Sequence, residues 1–218
     1  MTHRLVSSAR SPAGFWRDLP SRPKRAHGWL RLLALASVTA TACGACAPSG
    51  ASQVKADMAV MKQEGGPEKL IDRGKAFAAI NDTTRAEQYF AAAIASGGDE
   101  RIVVPLLLTV CAQDGRYRVA IQYAEGYLKG HPGDVRVRFV LGTLYAAVNE
   151  PSLARAALTV VVEARPEEAD AHFALGVLLR DSEHDFAGAD REFREYIRLK
   201  PRGAHAEEAQ ASLLKSIP

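Results

Sequence analysis

A repeat of 34 residues constrains the fold of this chain more than any other feature of its sequence. Three consecutive segments, 67–100, 101–134 and 135–168, align without a gap, and a fourth, 169–203, aligns after one extra residue in its inner loop. A period of this length is typical of stacked supersecondary units, because each unit can bury its apolar face only against its neighbours. The repeat spans 137 of the 218 residues, so it determines most of the architecture.

Small and large residues recur at fixed positions within each repeat. Small residues let two helices approach closely, and large apolar residues fill the space beside that contact. A proline near the end of most repeats stops the second helix, because it lacks an N–H and clashes with the preceding turn. The recurring positions are the eighth (Gly74, Leu108, Gly142, Gly176), the eleventh (Phe77, Cys111, Tyr145, Leu179), the twentieth (Ala86, Ala120, Ala154, Ala189) and the twenty-fourth (Phe90, Ala124, Leu158, Phe193). The pattern predicts helix pairs over 67–80 and 84–96, 102–113 and 117–130, 135–148 and 152–164, and 169–181 and 187–199.

This arrangement resembles the tetratricopeptide repeat family. The match is fullest in the third repeat, at Leu141, Gly142, Tyr145, Ala154 and Pro166. The resemblance implies an all-α fold, a right-handed superhelix (an α-solenoid) of about four helix-turn-helix repeats. Residues 204–218 are amphipathic, and we expect them to form a C-terminal capping helix that covers the last apolar face.

The second repeat departs from this pattern at two positions. Pro105 falls inside its first helix, and Leu108 replaces the small residue at the eighth position. We therefore expect this helix to start late or to kink. The packing of the second repeat should be the least regular in the array.

The basic side chains are concentrated at the N-terminus. Residues 1–42 contain seven of the 28 lysines and arginines but one of the 25 acidic residues, so the rest of the chain carries a net charge of −3. Within this segment, residues 32–42 are uncharged and follow a basic stretch, which is typical of an export signal and too short for a stable membrane span. We predict a signal peptide of the lipoprotein type at 1–42 and a flexible tether at 43–66. The remaining charge gives no reason to expect binding to nucleic acid.

The predicted signal ends at a cysteine. Residues 40–42 are Ala-Thr-Ala, which suits ordinary signal cleavage, and together with Cys43 they resemble the lipobox of bacterial lipoproteins. The resemblance implies that Cys43 is lipidated and anchors the chain to a membrane of the bacterial cell envelope. The outer membrane, at its periplasmic face, is favoured, because Ala45 is not the aspartate that retains lipoproteins at the inner membrane. Secretion without a lipid and an uncleaved N-terminus are the alternatives.

The family resemblance also implies a concave groove for a protein or peptide partner. In this family the groove is lined by the second, fifth, ninth, twelfth and thirteenth positions of the first helix in each repeat. The predicted groove residues are Lys75, Thr109, Gln113, Arg136, Phe139, Thr143, Phe173, Val177 and Arg180, with Asp170 and Asp181 beside them.

The groove lacks the carboxylate clamp with which some members of the family hold the C-terminus of a chaperone. That clamp uses Lys at the fifth position and Asn at the ninth, whereas the third repeat here has Phe139 and Thr143. Two stacked phenylalanines, Phe139 and Phe173, rimmed by Arg136 and Arg180, would suit an extended peptide or an amphipathic helix. The alternative is that both rings only pack between neighbouring repeats.

The sequence predicts no catalytic residues, metal site or cofactor. No Walker A loop, H-E-x-x-H, G-x-S-x-G or dinucleotide-binding turn is present. Cys43 and Cys46 form a C-x-x-C, but no strand precedes it and no further zinc ligands lie near it. We expect Cys111 to be a core residue and the four histidines after Cys43 to be solvated at the surface.

These observations predict a non-enzymatic scaffold or adaptor anchored in the cell envelope. Its partner would bind in the groove, in the assembly of a secretion, pilus or outer-membrane complex. Two alternatives stay open at this stage. One is an assembly factor that forms homo-oligomers by stacking of repeats, and the other is an envelope enzyme without a recognisable motif.

Overall fold

A computed structural model describes residues 66–214. The predicted signal peptide, Cys43 and the tether up to residue 65 lie outside the described residues. The described part contains nine α-helices and no strand: α1 (Pro67–Ala79), α2 (Thr83–Ala95), α3 (Glu100–Gln113), α4 (Tyr117–Gly130), α5 (Val135–Ala147), α6 (Pro151–Ala164), α7 (Ala169–Leu178), α8 (Phe186–Leu199) and α9 (Ala206–Ala211). None of these helices combines the length and the apolar character needed to cross a bilayer. The first six helices begin and end within two residues of the predicted bounds.

Glycines at the eighth position of three repeats allow the two helices of each pair to touch. A Cβ atom on Gly142 would lie 2.8 Å from Cγ of Leu158, and one on Gly176 would lie 2.8 Å from Cε1 of Phe193. These separations are shorter than carbon atoms tolerate, so a side chain at either position would push the helices apart. Because each helix also packs on the one that follows it, the pairs form a continuous stack. The predicted all-α repeat solenoid is confirmed.

In the second repeat the large residue stands at the eighth position and the small one at the twenty-fourth, the reverse of the other repeats. Leu108 and Ala124 are both buried, so the large side chain comes from the first helix and the small one from the second. The two helices α3 and α4 pack less extensively than the pairs in the other three repeats. Of the two expectations, a late start or a kink, the late start was wrong, because α3 begins at Glu100, before Pro105, and the Asp99 side chain accepts the N–H of Arg101 at 2.9 Å.

The turn inside each repeat places one residue in the left-handed backbone region. This conformation is tolerated best by glycine and asparagine. The residues are Asn81 (φ 61°), Gly115 (φ 69°), Asn149 (φ 64°) and His184 (φ 57°). The sequence analysis placed the extra residue of the fourth repeat in its inner loop, and this placement was wrong. The residue is absorbed as a π-helical turn, Leu179–Glu183, that continues α7.

The C-terminal segment covers the last repeat, but the predicted capping helix over 204–218 is shorter than expected. The helix α9 has six residues, and the last four residues of the chain lie outside the described part. Ala209 is fully buried against the core of the fourth repeat. The hydroxyl of Tyr196 accepts the N–H of His205 at 3.0 Å, and the N–H of Leu214 donates to Asp190 at 2.8 Å. The apolar end of the fourth repeat is therefore covered by a short helix together with turns and hydrogen bonds, and not by one long helix as the sequence analysis predicted.

Candidate protein-interaction groove

The first helices of the repeats, α1, α3, α5 and α7, present the positions predicted to line the groove. Lys75, Thr109, Gln113 and Arg136 are exposed, while the other five predicted residues are half-buried. Lys75 makes an exposed ion pair with Asp72 at 3.7 Å, which solvent screens strongly. The accessible part of the predicted groove therefore lies on the first three repeats.

Two threonines of the groove have their hydroxyl protons committed to their own helices. Thr109 Oγ1 donates to the carbonyl of Pro105 at 2.8 Å, and Thr143 Oγ1 donates to the carbonyl of Val140 at 2.7 Å. Their oxygen atoms still offer lone pairs to a donor. These threonines can therefore accept a hydrogen bond from a bound peptide without any local rearrangement.

The predicted strip of two stacked phenylalanines does not form. Phe173 packs on Phe193, Tyr196 and His205, and its ring centroid lies 4.1 Å from the His205 ring in a stacked arrangement. Phe139 packs against the buried cluster of the last two repeats, and the ring contacts within residues 66–214 include no Phe139–Phe173 pair. The alternative interpretation, packing between neighbouring elements, describes Phe173 better.

Arg180 is held by the C-terminal segment. Its guanidinium donates to Asp181 at 2.6 Å and to the hydroxyl of Ser212 at 2.5 Å, and it lies 5.4 Å above the ring of Phe193. Val177 is also half-buried against this cluster. The C-terminal segment thus contacts two of the predicted groove residues, Phe173 and Arg180, and the fourth repeat offers little open surface at these positions.

Two apolar residues of α3 extend the accessible groove. Ile102 occupies the second position of its repeat with 54% of its surface exposed, and Pro105 is exposed at the fifth position. Both stand at groove positions of the family, but they were not among the residues predicted from the sequence. Their second and fifth positions in the repeat were the signal that could have identified them. Together with Thr109, Gln113 and Arg136 they form a mixed apolar and polar surface.

Two titratable side chains, those of Cys111 and His172, are buried among the repeats. Burial raises the pKa of the Cys111 thiol to about 12, so this thiol is protonated and unreactive, as expected of a core residue. No group of three or more potential metal ligands occurs in the described part of the chain. The prediction that every histidine is solvated was wrong for His172, which is buried between Glu192 and the carbonyl of Pro166.

The repeats match models of a known family. Two models described as tetratricopeptide repeat match residues 71–135 and 112–178. With the helix pairs and the glycine contacts, this shows that the chain belongs to the tetratricopeptide repeat family. Proteins with this fold generally serve as non-enzymatic scaffolds that bind other proteins or peptides, which is the class of function that the fold supports.

Solved structures with the same fold cover most of this chain. The structure of YrrB, described as a tetratricopeptide repeat protein with an unusual peptide-binding site, is 18% identical, covers 75% of this chain and 86% of its own, and has a TM-score of 0.60. A MamA structure from Desulfovibrio magneticus RS-1 is 21% identical over 71% of this chain and 89% of its own, with a TM-score of 0.58. MamA AMB-1 is 27% identical over 66% and 79%, with a TM-score of 0.55. A search of curated protein sequences found no match.

Proposed function

We propose that the chain is an adaptor of the bacterial cell envelope that binds a peptide or helix of a partner protein in its groove. The observation that carries this proposal is the surface of α3 and α5. There Ile102 and Pro105 are exposed apolar residues on the helix that also carries the exposed Gln113, and Arg136 is exposed in the first turn of α5. Peptide grooves combine apolar anchors with a few polar groups that fix orientation. The peptide-binding site in the description of YrrB supports the same use of this fold.

The anchor rests on the sequence of the N-terminus. We propose that Cys43 is lipidated after cleavage of residues 1–42 and that the tether holds the repeats at the periplasmic face of the outer membrane. Roughly 20 flexible residues span about 25 Å, so the groove would stand close to the membrane surface. Such a position suits a subunit or assembly factor of a secretion, pilus or outer-membrane complex.

The observations favour a partner protein over the two alternatives. End-to-end stacking of copies needs an open apolar face, and at the C-terminal end α9 and the following residues cover the last repeat. An envelope enzyme needs an enclosed site, whereas the cleft of about 490 Å³ beside the loop between the second and third repeats is open to solvent.

Affinity capture with matched variants tests the groove. A tagged full-length chain is expressed in a bacterial host with an envelope, and Ile102→Ser is compared with Val160→Ser. Val160 is a similarly exposed apolar residue on α6, which is not a groove helix. We expect Ile102→Ser to lower the recovery of a specific partner severalfold and Val160→Ser to leave it unchanged. Equal recovery with both variants would exclude the groove on α3 as the binding surface.

The intact mass of the membrane-extracted protein tests the anchor separately. We expect the mass of a chain that begins at Cys43 and carries a diacylglyceryl group and an acyl chain. A mature chain that begins at Cys43 without lipid would indicate simple secretion, and an unmodified full-length chain would contradict export.

A further inference from the structure

A cleft with three arginines lies beside the loop that joins the second and third repeats. It encloses about 490 Å³ and is lined by the loop residues His131 and Asp134 and by Arg101, Arg136 and Arg165. Arg101 lies in the first turn of α3, Arg136 lies in the first turn of α5, and Arg165 directly follows α6. Three separate helices thus contribute one guanidinium each. We call this surface the basic cleft.

These three arginines form no close ion pair within the described part of the chain. Within residues 66–214, none of Arg101, Arg136 and Arg165 has a carboxylate within the 4.0 Å of an ion pair. The Glu100 carboxylate lies instead 3.9 Å from Nδ1 of His131. Six other arginines do form ion pairs: Arg85, Arg116, Arg155, Arg180, Arg194 and Arg198. The basic cleft therefore has charge available for a ligand.

The one carboxylate that lines the basic cleft is occupied. Asp134 accepts the hydroxyl of Tyr127 at 2.8 Å and the backbone N–H groups of Arg136 at 3.0 Å and Val137 at 3.1 Å. Although burial favours its neutral form, the N–H of Val137, the Tyr127 hydroxyl and, less strongly, the N–H and the positive charge of Arg136 hold the pKa of Asp134 below its usual range. Its negative charge is engaged in capping α5, and the arginines around it point to an anion as the missing partner.

We propose that the basic cleft binds carboxylate side chains of an acidic peptide segment that continues from the groove. This inference rests on the proposed function, because the same partner occupies both surfaces. Arg136 lines the cleft and is also a predicted groove residue, so the cleft adjoins the groove at this residue. Guanidinium groups bind carboxylates through two parallel hydrogen bonds, which fix the position of a bound peptide as well as attracting it.

The net negative charge of the chain without residues 1–42 restricts the places where an acidic peptide can bind. Without residues 1–42 the chain carries a net charge of −3, so an acidic segment is repelled by the protein as a whole. The basic cleft then selects where along the groove the acidic residues lie. Binding that depends on the cleft must weaken as salt rises, because salt screens exposed charge pairs.

A titration observed at the arginine side chains tests this assignment. The full-length chain, labelled with ¹⁵N, is titrated to millimolar concentration with a 12-residue peptide of alternating Glu and Leu. The peptide is amidated so that it has no C-terminal carboxylate. Peptides with Gln or Lys in place of Glu serve as matched controls. We expect saturable shifts of the Nε–Hε signals of Arg101, Arg136 and Arg165 with the Glu peptide and not with the other two.

Variants locate the effect. The triple variant Arg101→Gln, Arg136→Gln, Arg165→Gln should raise the dissociation constant of the Glu peptide at least about tenfold, since each charged contact contributes roughly a factor of two to ten. Arg191→Gln, an exposed arginine of α8, is the control and should change nothing. Circular dichroism verifies that each variant is folded.

Each other outcome overturns the inference in a distinct way. Equal shifts at all exposed arginines, or no saturable shift at all, would mean that the cleft is not a carboxylate site. Tighter binding of anionic lipid vesicles that requires the same arginines would assign it to a membrane surface instead. If the Gln and Glu peptides bind equally and Ile102→Ser weakens the binding of both, the proposed groove stands and the proposed preference for acidic peptides is refuted.

Discussion

From the buried imidazole of His172 we predict that the fourth repeat loses stability as the pH rises. The residue is 7% exposed, with Nδ1 2.7 Å from a carboxylate oxygen of Glu192 and Nε2 2.9 Å from the carbonyl oxygen of Pro166. Both neighbouring atoms are hydrogen-bond acceptors. Only the protonated imidazolium has a proton for each of them, because the neutral ring carries one N–H.

The direction follows from the charges around this ring. The hydrogen bond to Glu192 raises the pKa of His172 above its ordinary 6.5, burial acts in the opposite direction, and the Pro166 carbonyl and the charge of Glu195 add to the increase. A histidine whose pKa is raised in the folded state contributes its full stabilisation below the unfolded pKa. That stabilisation is lost as the pH rises through the folded pKa, so the window begins above pH 6.5.

The size of the effect follows from the bond that is lost. Deprotonation of His172 leaves one buried acceptor without a donor, which costs about 1–3 kcal/mol. One titrating proton also limits the slope to about 1.4 kcal/mol per pH unit. The free energy of unfolding should therefore fall by about 1–3 kcal/mol between pH 6 and pH 9 through this residue alone.

Urea unfolding followed by far-ultraviolet circular dichroism measures this loss. Wild type is compared with His172→Gln, which cannot titrate, and with His184→Asn, an exposed control. We expect the pH dependence to be smaller by this amount in His172→Gln and unchanged in His184→Asn. Identical pH dependence in wild type and His172→Gln would refute the reasoning, as would ¹⁵N shifts that show a neutral His172 ring at pH 6.

Two further predictions concern the core. Gly176→Val should destabilise the chain by about 1–3 kcal/mol, because the new side chain meets the ring that faces it in α8. Gly126→Ala, in the middle of α4 with no atom within 4 Å of a new Cβ, should instead be neutral or stabilise by about 0.5–1 kcal/mol. Thermal unfolding distinguishes the two, and equal losses would contradict the packing described here. In a Cys43→Ser, Cys46→Ser background, Cys111 should react with Ellman's reagent at pH 8 only after urea is added.

The sequence carried enough information to predict the fold because the repeat imposes the same contacts several times. Gly142 and Gly176 lie opposite large apolar side chains as the period requires. Even Leu108, which breaks the pattern, is matched by the small Ala124. Each such position occurs in all four repeats, so the period remains recognisable when one repeat departs from it.

The candidate site was less predictable at the end of the array, where the period stops. Phe173 and Arg180 stand at groove positions, but the next element is not a repeat, and its residues His205 and Ser212 contact them instead. The burial of His172 was missed for a different reason, because its side-chain contacts with Glu192 and the Pro166 carbonyl do not involve the residues by which the repeat is recognised in the first helix. Contacts made by a non-repeating segment leave no periodic signal.

Site-specific photocrosslinking in intact cells tests the central claim that the groove binds a partner. A photoreactive amino acid is placed at Ile102 or Gln113 in the groove, and at Val160 or Arg191 on the second helices as controls. We expect one discrete crosslinked partner from both groove positions and none from the controls. Crosslinks from the control positions with none from Ile102 and Gln113 would contradict it.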